Sequence, residues 1–303
     1  MSDYHIKNKA IQSYKEIKTR LTQERRIPVQ VIREKTLMNE KRFPVLVKTI
    51  FPQILAKTGG MPYKLAPPIL NKALIIGLDK ARDSSGKYPS ASAGVAAVTP
   101  EGYYVAGAST PLESNTTDFI DVDLLAPSLL DELQERKFET EYEFVVILRD
   151  GGPRTRIQEV PKWRKYLEAY EKEFIFLAAR KTHAYRVFPI NISEVVGKVK
   201  YDIPIVLNGP PLPDSDFLVI SARAPRGTPK PVLYTIMENT TSFSITDIKE
   251  KVIAQLISMS MLCWESPFPT SQPLPLHYAD KLAKFAQLVQ QAWNSSNPFP
   301  MFI

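Results

Sequence analysis

The chain has 303 residues and is 44% hydrophobic, which supports a sizeable buried core and excludes a globally disordered protein. Its 39 Lys and Arg exceed its 32 Asp and Glu, and the net charge of +7 fits either a simple basic bias or a polyanionic partner such as nucleic acid. The only cysteine, Cys263, excludes an intramolecular disulfide. The N-terminus has no apolar signal core, and the apolar stretch 252–264 is too short to span a bilayer. We therefore expect a cytoplasmic protein without direct membrane insertion.

The first 60 residues predict two helices and one strand. Helical and β-type patterns predict a helix over 5–24, a strand over 29–32 and a second helix over 43–58. Pro52 lies inside the second helix, where a kink or break is expected. Gly59-Gly60 ends this helix, and the prolines that follow predict a domain boundary between about Gly60 and Asn71.

The rest of the chain predicts a mixed α/β sheet flanked by helices. The predicted strands are 73–79, 90–99, 103–109, 144–149, 174–179, 185–188, 203–207, 217–221 and 232–237. The predicted helices are 122–137, 160–172, 245–263 and 277–293. Three antiparallel strands followed by alternating helices and strands are typical of this class.

Two of the predicted strands end in an aspartate. The run ALIIGLD ends at Asp79, and FVVILRDG carries Asp150 in the same position about seventy residues later. A third aspartate, Asp280, lies in PLHYADKLAKF near the C-terminus. Three carboxylates at one sheet edge could hold divalent cations and cleave phosphodiester bonds. For any one of them taken alone, an exposed strand end or a helix cap is the simpler explanation.

Five segments occur in the order found in the PIWI domain of Argonaute proteins. They are GLD at 77–79, RDG at 149–151, KTHAYRVF at 181–188, RGTPKPVLYTIMEN at 226–239 and PLPLHYADKLAKF at 273–285. Residues 67–303 thus resemble a PIWI domain, which implies an RNase H-like fold.

Residues 1–66 resemble the C-terminal half of an Argonaute MID domain, which grips the 5′ phosphate of a guide strand. Tyr14 and Lys18 are four residues apart on a predicted helix, Gln30 lies in IPVQVI, and Lys57 precedes Thr58-Gly59-Gly60. The resemblance implies that a guide base stacks on Tyr14 and that the two lysines neutralise the phosphate. Tyr14 also lies on the apolar stripe of its helix, so a core position is the alternative. The family's C-terminal carboxylate, here that of Ile303, is implied as a metal ligand at the phosphate.

Three further basic residues are candidates to contact the nucleic-acid backbone, and one of them, Lys284, could reach the guide phosphate together with Lys281. They are Lys181, Arg186 and Lys284. The same residue types would equally occupy solvated positions on an exposed strand or helix.

The family's nucleases use a DEDX tetrad with Mg²⁺ or Mn²⁺. Asp79, Asp150 and Asp280 match three of its positions. The second position is a glutamate on a mobile loop, which here reads TPLESNTTDFIDVD; Glu113 lies too early, and Asp118 falls nearer the expected place. Aspartate is one methylene shorter than glutamate. Two-metal catalysis needs carboxylates that reach ions roughly 3.5–4 Å apart, so the short side chain could abolish cleavage.

Three functional hypotheses follow. The leading one is a nucleic-acid-guided protein of host defence that holds a guide by its 5′ phosphate and pairs it with an RNA or DNA target. The alternative is a guide-directed, divalent-metal-dependent endonuclease, and the third is a structural subunit that has lost nucleic-acid binding. Half a MID domain would leave a sheet edge and apolar faces uncovered, so a partner protein or a second copy is expected to complete it.

Overall fold

The computed structural model describes the residues 11–39, 41, 43–83, 90–114, 117–152, 155–187, 205–221, 230–263, 269–293 and 300–302. Everything below refers to these residues. Within them, no helix combines the length and the apolar composition needed to cross a bilayer.

The helices lie before, between and after the strands. Helix α1 is α-helical over 11–17 and continues as a π-helix over Lys18–Glu24. The others are α2 (Glu34–Leu37), α3 (Phe43–Lys57), α4 (Val122–Glu135), α5 (Phe138–Glu141), α6 (Thr155–Glu168), α7 (Ile245–Asp247), α8 (Ala254–Met259) and α9 (Leu274–Val289), with a π-helical stretch Ile248–Ile253 joining α7 to α8. Local sequence explains their starts: Asp121 caps α4, and Ser244 forms a capping box with Asp247 at α7.

The described strands form one eight-stranded mixed sheet. They are β1 (Ala73–Asp83), β2 (Ser90–Val98), β3 (Tyr104–Ser109), β4 (Phe144–Asp150), β5 (Glu173–Arg180), β6 (Ile205–Leu207), β7 (Asp216–Ile220) and β8 (Val232–Asn239). Their order across the sheet is β3-β2-β1-β4-β5-β8-β7-β6. The central strands β1, β4 and β5 run parallel, and all other pairs are antiparallel. The predicted mixed α/β sheet is therefore confirmed.

Both faces of the sheet are buried, because successive side chains along a strand point to opposite faces. On one face, Leu74, Ile76 and Leu78 belong to a core shared with α4 and α6. On the other, Ile75 and Leu148 belong to a core shared with α8 and α9. Burial on two faces explains why the central strands are continuous apolar runs, as is usual in parallel sheets.

Two N-terminal expectations need correction, the strand over 29–32 and a break at Pro52. Residues 29–32 form no strand, since no described segment pairs with them, and the Val29 carbonyl instead accepts hydrogen bonds from lysine side chains. Helix α3 does not break at Pro52 but is continuous from Phe43 to Lys57. A proline removes a single backbone donor. The end of α3 is anchored beyond it, where Ala56 and Lys57 are buried.

Two predictions about the region after β4 also need correction. Residues 181–187 form no strand, and residue 188 lies outside the described residues. The strand that precedes this segment, β5, is already paired with β4 on one side and β8 on the other. Helix α6 begins at Thr155 and ends at Glu168, earlier at both ends than predicted.

Candidate functional site

The strand register brings Asp79 and Asp150 together on one face of the sheet. In the parallel pair of β1 and β4, Leu78 is opposite Arg149, so the next residue of each strand is an aspartate. Alternation along β1 puts Asp79 on the face of Ile75, which is the face covered by α9. The expected exposed strand end at Asp79 is wrong: β1 continues to Asp83 because β2 pairs with it there, and Asp79 is only 7% exposed.

Two glycines let α9 approach this face closely and bring Asp280 beside Asp79. A Cβ on Gly77 would lie 2.1 Å from the Pro275 carbonyl oxygen, and a Cβ on Gly94 would lie 2.2 Å from the Ala279 carbonyl oxygen. Gly94 is the cross-strand partner of Asp79. The residue after Ala279 is Asp280, so the helix delivers the third carboxylate to the first.

The Asp79 carboxyl responds electrostatically to the other two carboxylates. Burial and, after it, the negative charge of Asp150 raise the pKa of Asp79 from 3.8 to about 7. Asp280 acts in the same direction, whereas the cations Lys181 and Arg149 oppose the rise. We call these three aspartates the carboxylate cluster.

Lysines pair with two members of this cluster. Lys181 contacts the Asp150 carboxylate, to which Gln272 Nε2 also donates at 3.2 Å. Lys284 Nζ donates to Asp280 Oδ2 at 2.7 Å. No three His, Cys, Asp or Glu side chains of the described residues are arranged to hold a metal ion. With these lysines in place, the cluster does not fit Mg²⁺ or Mn²⁺.

The loop before α4 keeps its acidic residues away from the cluster. The Asp118 carboxylate, considered as the fourth ligand, is paired with Arg82, and its side chain is 66% exposed. Glu113 Oε2 accepts from the buried Lys80 Nζ at 3.1 Å. Among the residues that the structure describes, neither Asp118 nor Glu113 brings a fourth carboxylate to Asp79.

A buried ion pair holds this loop against β4. Arg149 Nε donates to Glu159 Oε2 at 2.9 Å, and both side chains are almost wholly buried. Glu159 Oε1 accepts from the Ile120 amide at 2.8 Å, and Arg149 also donates to the carbonyl oxygens of Asp118 and Asp150. This pair was not predicted from the sequence, although a charged residue inside an apolar strand is a usable signal, since buried charges need partners.

A second site is a cavity of about 360 Å³ between α1, α3 and α9. It is lined by Tyr14, Lys18, Val29, Gln30, Val31, Gln53, Lys57, Lys281, Lys284, Phe285, Leu288 and Phe302. The cavity thus unites the four N-terminal residues singled out from the sequence and adds Gln53, Lys281 and residues near the C-terminus. Ile303 itself lies outside the described residues. We call this cavity the lysine pocket.

Two lysines in the pocket are almost completely buried. Lys18 is 2% and Lys57 is 3% exposed. Lys57 Nζ donates to Gln30 Oε1 at 2.6 Å and to the Val29 carbonyl oxygen at 3.1 Å, and Lys18 Nζ donates to that same oxygen at 3.4 Å. Two ammonium groups that share one acceptor repel each other, and an anion between them would relieve that repulsion.

The backbone around the pocket also departs from what the sequence predicts. Lys18 begins the π-helical stretch of α1, a feature that frequently occurs at functional sites. Its Nζ lies 6.0 Å from the Tyr14 ring centroid, at the limit of a cation–π contact. Tyr14 is 37% exposed, so it is not a core residue and its ring is accessible.

The remaining residues, which were predicted to contact the nucleic-acid backbone, have exposed side chains. Lys181 is beside the carboxylate cluster through its pair with Asp150. Arg186 Nη1 donates to the carbonyl oxygens of His183 and Tyr185, at 2.9 and 2.8 Å, so its guanidinium folds onto its own loop. Lys284 lies between the two sites.

An eight-stranded mixed sheet of this order, with acidic residues under its last helix, defines an RNase H-like protein. The chain matches the Piwi domain family over residues 4–291, and it belongs to that family. The resemblance to Argonaute PIWI domains and the predicted fold class are thereby confirmed.

Similar proteins include the protein argonaute of Aquifex aeolicus (strain VF5), which is 27% identical over 263 residues. Those residues cover 85% of this chain and 34% of that protein. The crystal structure of Drosophila Piwi has a TM-score of 0.73 at 20% identity, covering 96% of this chain and 40% of that one. The Marinitoga piezophila Argonaute in complex with 5′ OH guide RNA and target DNA has a TM-score of 0.58 at 19% identity, covering 85% and 37%. The chain thus spans well under half the length of these relatives.

Proposed function

We propose that this protein binds a guide nucleic acid by its 5′ phosphate in the lysine pocket and pairs the guide with a complementary strand. The observation that carries the proposal is the convergence of Lys18 and Lys57, both buried, on one carbonyl oxygen inside a cavity. A phosphate there would accept charge-assisted hydrogen bonds from both ammonium groups. Lys281 and Lys284 add positive charge from α9.

The distribution of charge supports the same site. Residues 1–60 contain 13 Lys and Arg and 5 Asp and Glu, which gives this segment a net charge of +8. The whole chain carries +7, so the rest of the chain is close to neutral. The positive field is therefore concentrated on the segment that forms most of the pocket, as binding to a polyanion requires.

The accessible ring of Tyr14 suits a base next to the phosphate. It stands at the pocket and offers an aromatic face on which any base can stack. Family membership and the guide and target strands named for the Marinitoga piezophila complex support pairing with a second strand. Because that guide has a 5′ hydroxyl, the 5′ end is the feature to test.

The direct test compares one short single-stranded oligonucleotide in 5′-phosphate and 5′-hydroxyl forms, as RNA and as DNA. The wild-type protein should bind the phosphorylated form more tightly, and Lys18→Met with Lys57→Met should remove that preference. Each charge-assisted hydrogen bond contributes about 1.5–3 kcal/mol, or roughly 10- to 100-fold in affinity.

A matched control is available on the same two helices. Lys15→Met with Lys48→Met removes the same charge from α1 and α3, but neither residue lines the pocket. This double variant should retain the 5′-phosphate preference. An equal loss in both double variants, or no preference in the wild type, would contradict the proposal. Sequencing the short nucleic acid that copurifies would identify the guide chemistry.

A second candidate is guide-directed cleavage at the carboxylate cluster. It is favoured by the negative charges of Asp150 and Asp280, which raise the pKa of Asp79, since neighbouring carboxylates attract a cation. Lys181 and Lys284 would first have to leave the cluster. Incubation with a phosphorylated guide, a matched target and Mn²⁺ tests it: a single cut that Asp79→Ala abolishes would make this protein a nuclease, and an intact target would leave it a binder.

We also propose that residues 1–66 are the C-terminal half of a MID-like region, completed by a partner protein or a second copy. The support is an apolar stripe on α3, formed by Phe43, Val47 and Phe51 at four-residue spacing, each about half exposed or more. Multi-angle light scattering tests this: a monomer that unfolds cooperatively and remains soluble would contradict it.

A defence role in the cytoplasm is the further extension of this proposal. Its support is the Piwi family membership, together with a single cysteine, Cys263, that is buried and free. Fractionation of cells and challenge with foreign DNA or RNA, with and without the lysine-pocket variant, would test both parts.

A further inference from the structure

Helix α9 carries residues of both sites on one face. Asp280 belongs to the carboxylate cluster, and Lys284, one turn later, lines the lysine pocket. Lys284 Nζ is 2.7 Å from Asp280 Oδ2. The ion pair thus connects the two sites directly.

Lys284 is easily withdrawn from this pair. Its side chain is 61% exposed, whereas that of Asp280 is 19% exposed. An ion pair with an exposed lysine contributes little to stability, and the flexible lysine stem can reorient without disturbing the helix. A phosphate dianion in the pocket would compete well for this ammonium, because it offers more charge and more acceptor oxygens than one carboxylate.

We propose that Asp280 is a positioning residue of the lysine pocket: it holds Lys284 when the pocket is empty and releases it to a bound 5′ phosphate. The proposal rests on the proposed function of the pocket. It gives Asp280 a role in nucleic-acid binding that does not depend on cleavage. It also links the sites, because a filled pocket leaves the Asp280 carboxylate unpaired beside Asp79 and Asp150.

The linkage has a necessary consequence for affinity. Phosphate binding requires the Lys284–Asp280 pair to break, and the free energy of breaking it lowers the affinity. Removing the Asp280 charge in advance should therefore tighten phosphate binding. The gain should amount to about two- to fivefold, the usual strength of such a pair. This gain in affinity should depend on Lys284 and should disappear in a variant that lacks this lysine.

A double-mutant cycle tests this with the 5′-phosphorylated oligonucleotide, its 5′-hydroxyl form and inorganic phosphate as a competitor. Asp280→Asn should tighten binding of the phosphorylated form, and Lys284→Met should weaken it. Adding Asp280→Asn to Lys284→Met should then change nothing. The 5′-hydroxyl form should be insensitive to Asp280→Asn. Thermal melts establish that each variant is folded.

A control isolates general charge effects. Glu143→Gln removes one carboxylate from an exposed pair with Lys72, at the opposite end of β4 from Asp150, and should leave binding unchanged. The same tightening with and without Lys284 would show direct repulsion between Asp280 and phosphate and would overturn the proposal. An absence of tightening would overturn it too. If the wild type does not prefer the phosphorylated form, the proposed function itself fails. If the wild type does prefer it but the effects of Asp280→Asn and Lys284→Met are additive, only this inference is rejected.

Discussion

Asp79 on β1 lies directly opposite Gly94 on β2, and the Ala279 carbonyl oxygen occupies the space where a side chain on Gly94 would be. A residue without a side chain therefore lets α9 lie against the sheet beside Asp79, the most buried aspartate of the carboxylate cluster. This contact places Asp280 near Asp79 and, one turn later, Lys284 at the lysine pocket. The closeness of α9 to β2 thus sets the geometry of both sites.

Gly94→Ala should lower the free energy of unfolding by about 1–3 kcal/mol, because the new methyl group would meet backbone at 2.2 Å and push α9 outward. Urea denaturation measures the change. Gly152→Ala is the matched control, since its Cβ would meet only Arg180 Cδ at 4.0 Å. Equal stability of the two variants would show that α9 does not depend on this contact.

Asp79→Asn should stabilise the fold at pH 8 by about 1–3 kcal/mol, because a buried carboxylate is costly to ionise. The pKa of Asp79 is about 7 in the folded protein, against an ordinary value of 3.8. Between about pH 4 and pH 7 the unfolded chain therefore holds fewer protons at this residue than the folded protein. Wild-type stability relative to the variant should fall as the pH rises through that window, and level off above it. Denaturation at pH 4, 6 and 8 measures this trend; a constant difference would contradict it.

Arg149→Met should destabilise the protein by about 3–5 kcal/mol, because it leaves the Glu159 carboxylate buried without its cation. Adding Glu159→Gln should recover much of the loss, since the amide oxygen can still accept from the Ile120 amide. Denaturation of both single variants and the double variant gives the coupling energy. Additive losses would mean that the pair does not act as a unit.

Lys18→Met should reduce the salt dependence of binding to a 5′-phosphorylated single strand. Each phosphate contact contributes about 0.7 to the slope of log affinity against log salt concentration, so the slope should shrink by about that amount. Fluorescence anisotropy at salt concentrations from roughly 50 to 200 mM measures this slope. Lys48→Met, on α3 and outside the pocket, should keep the wild-type slope.

The strands that the sequence predicted correctly are those whose partners lie in the described sheet. Continuous apolar runs such as 73–79 and 174–179 are buried on both faces, and that burial is visible in composition. Residues 29–32 and 185–187 have strand-like composition too, but they pair with none of the described strands. The strand propensity of a segment does not indicate whether a neighbouring strand is available to pair with it.

The candidate sites, like the strands, could be predicted from the sequence only in part. The resemblance to a MID domain identifies Tyr14, Lys18, Gln30 and Lys57, and these residues do line one cavity. Lys281, a candidate for the guide phosphate because it follows Asp280, lines the same cavity from α9. The pairing of Lys181 with Asp150 could not be predicted, because it depends on the register of β4 and β5.

By itself the sequence determined the mixed sheet, the order of the family segments and the identity of three carboxylates and four pocket residues. The sheet follows from local periodicity, which each segment carries with it, and the carboxylates and pocket residues follow from short motifs that resemble those of the family. Only the tertiary structure decided that Asp79 is buried, that lysines occupy the carboxylate cluster, and that α9 joins the cluster to the pocket. These depend on distances between segments far apart in the chain, where burial and neighbouring charge control what a carboxylate or an ammonium group can do.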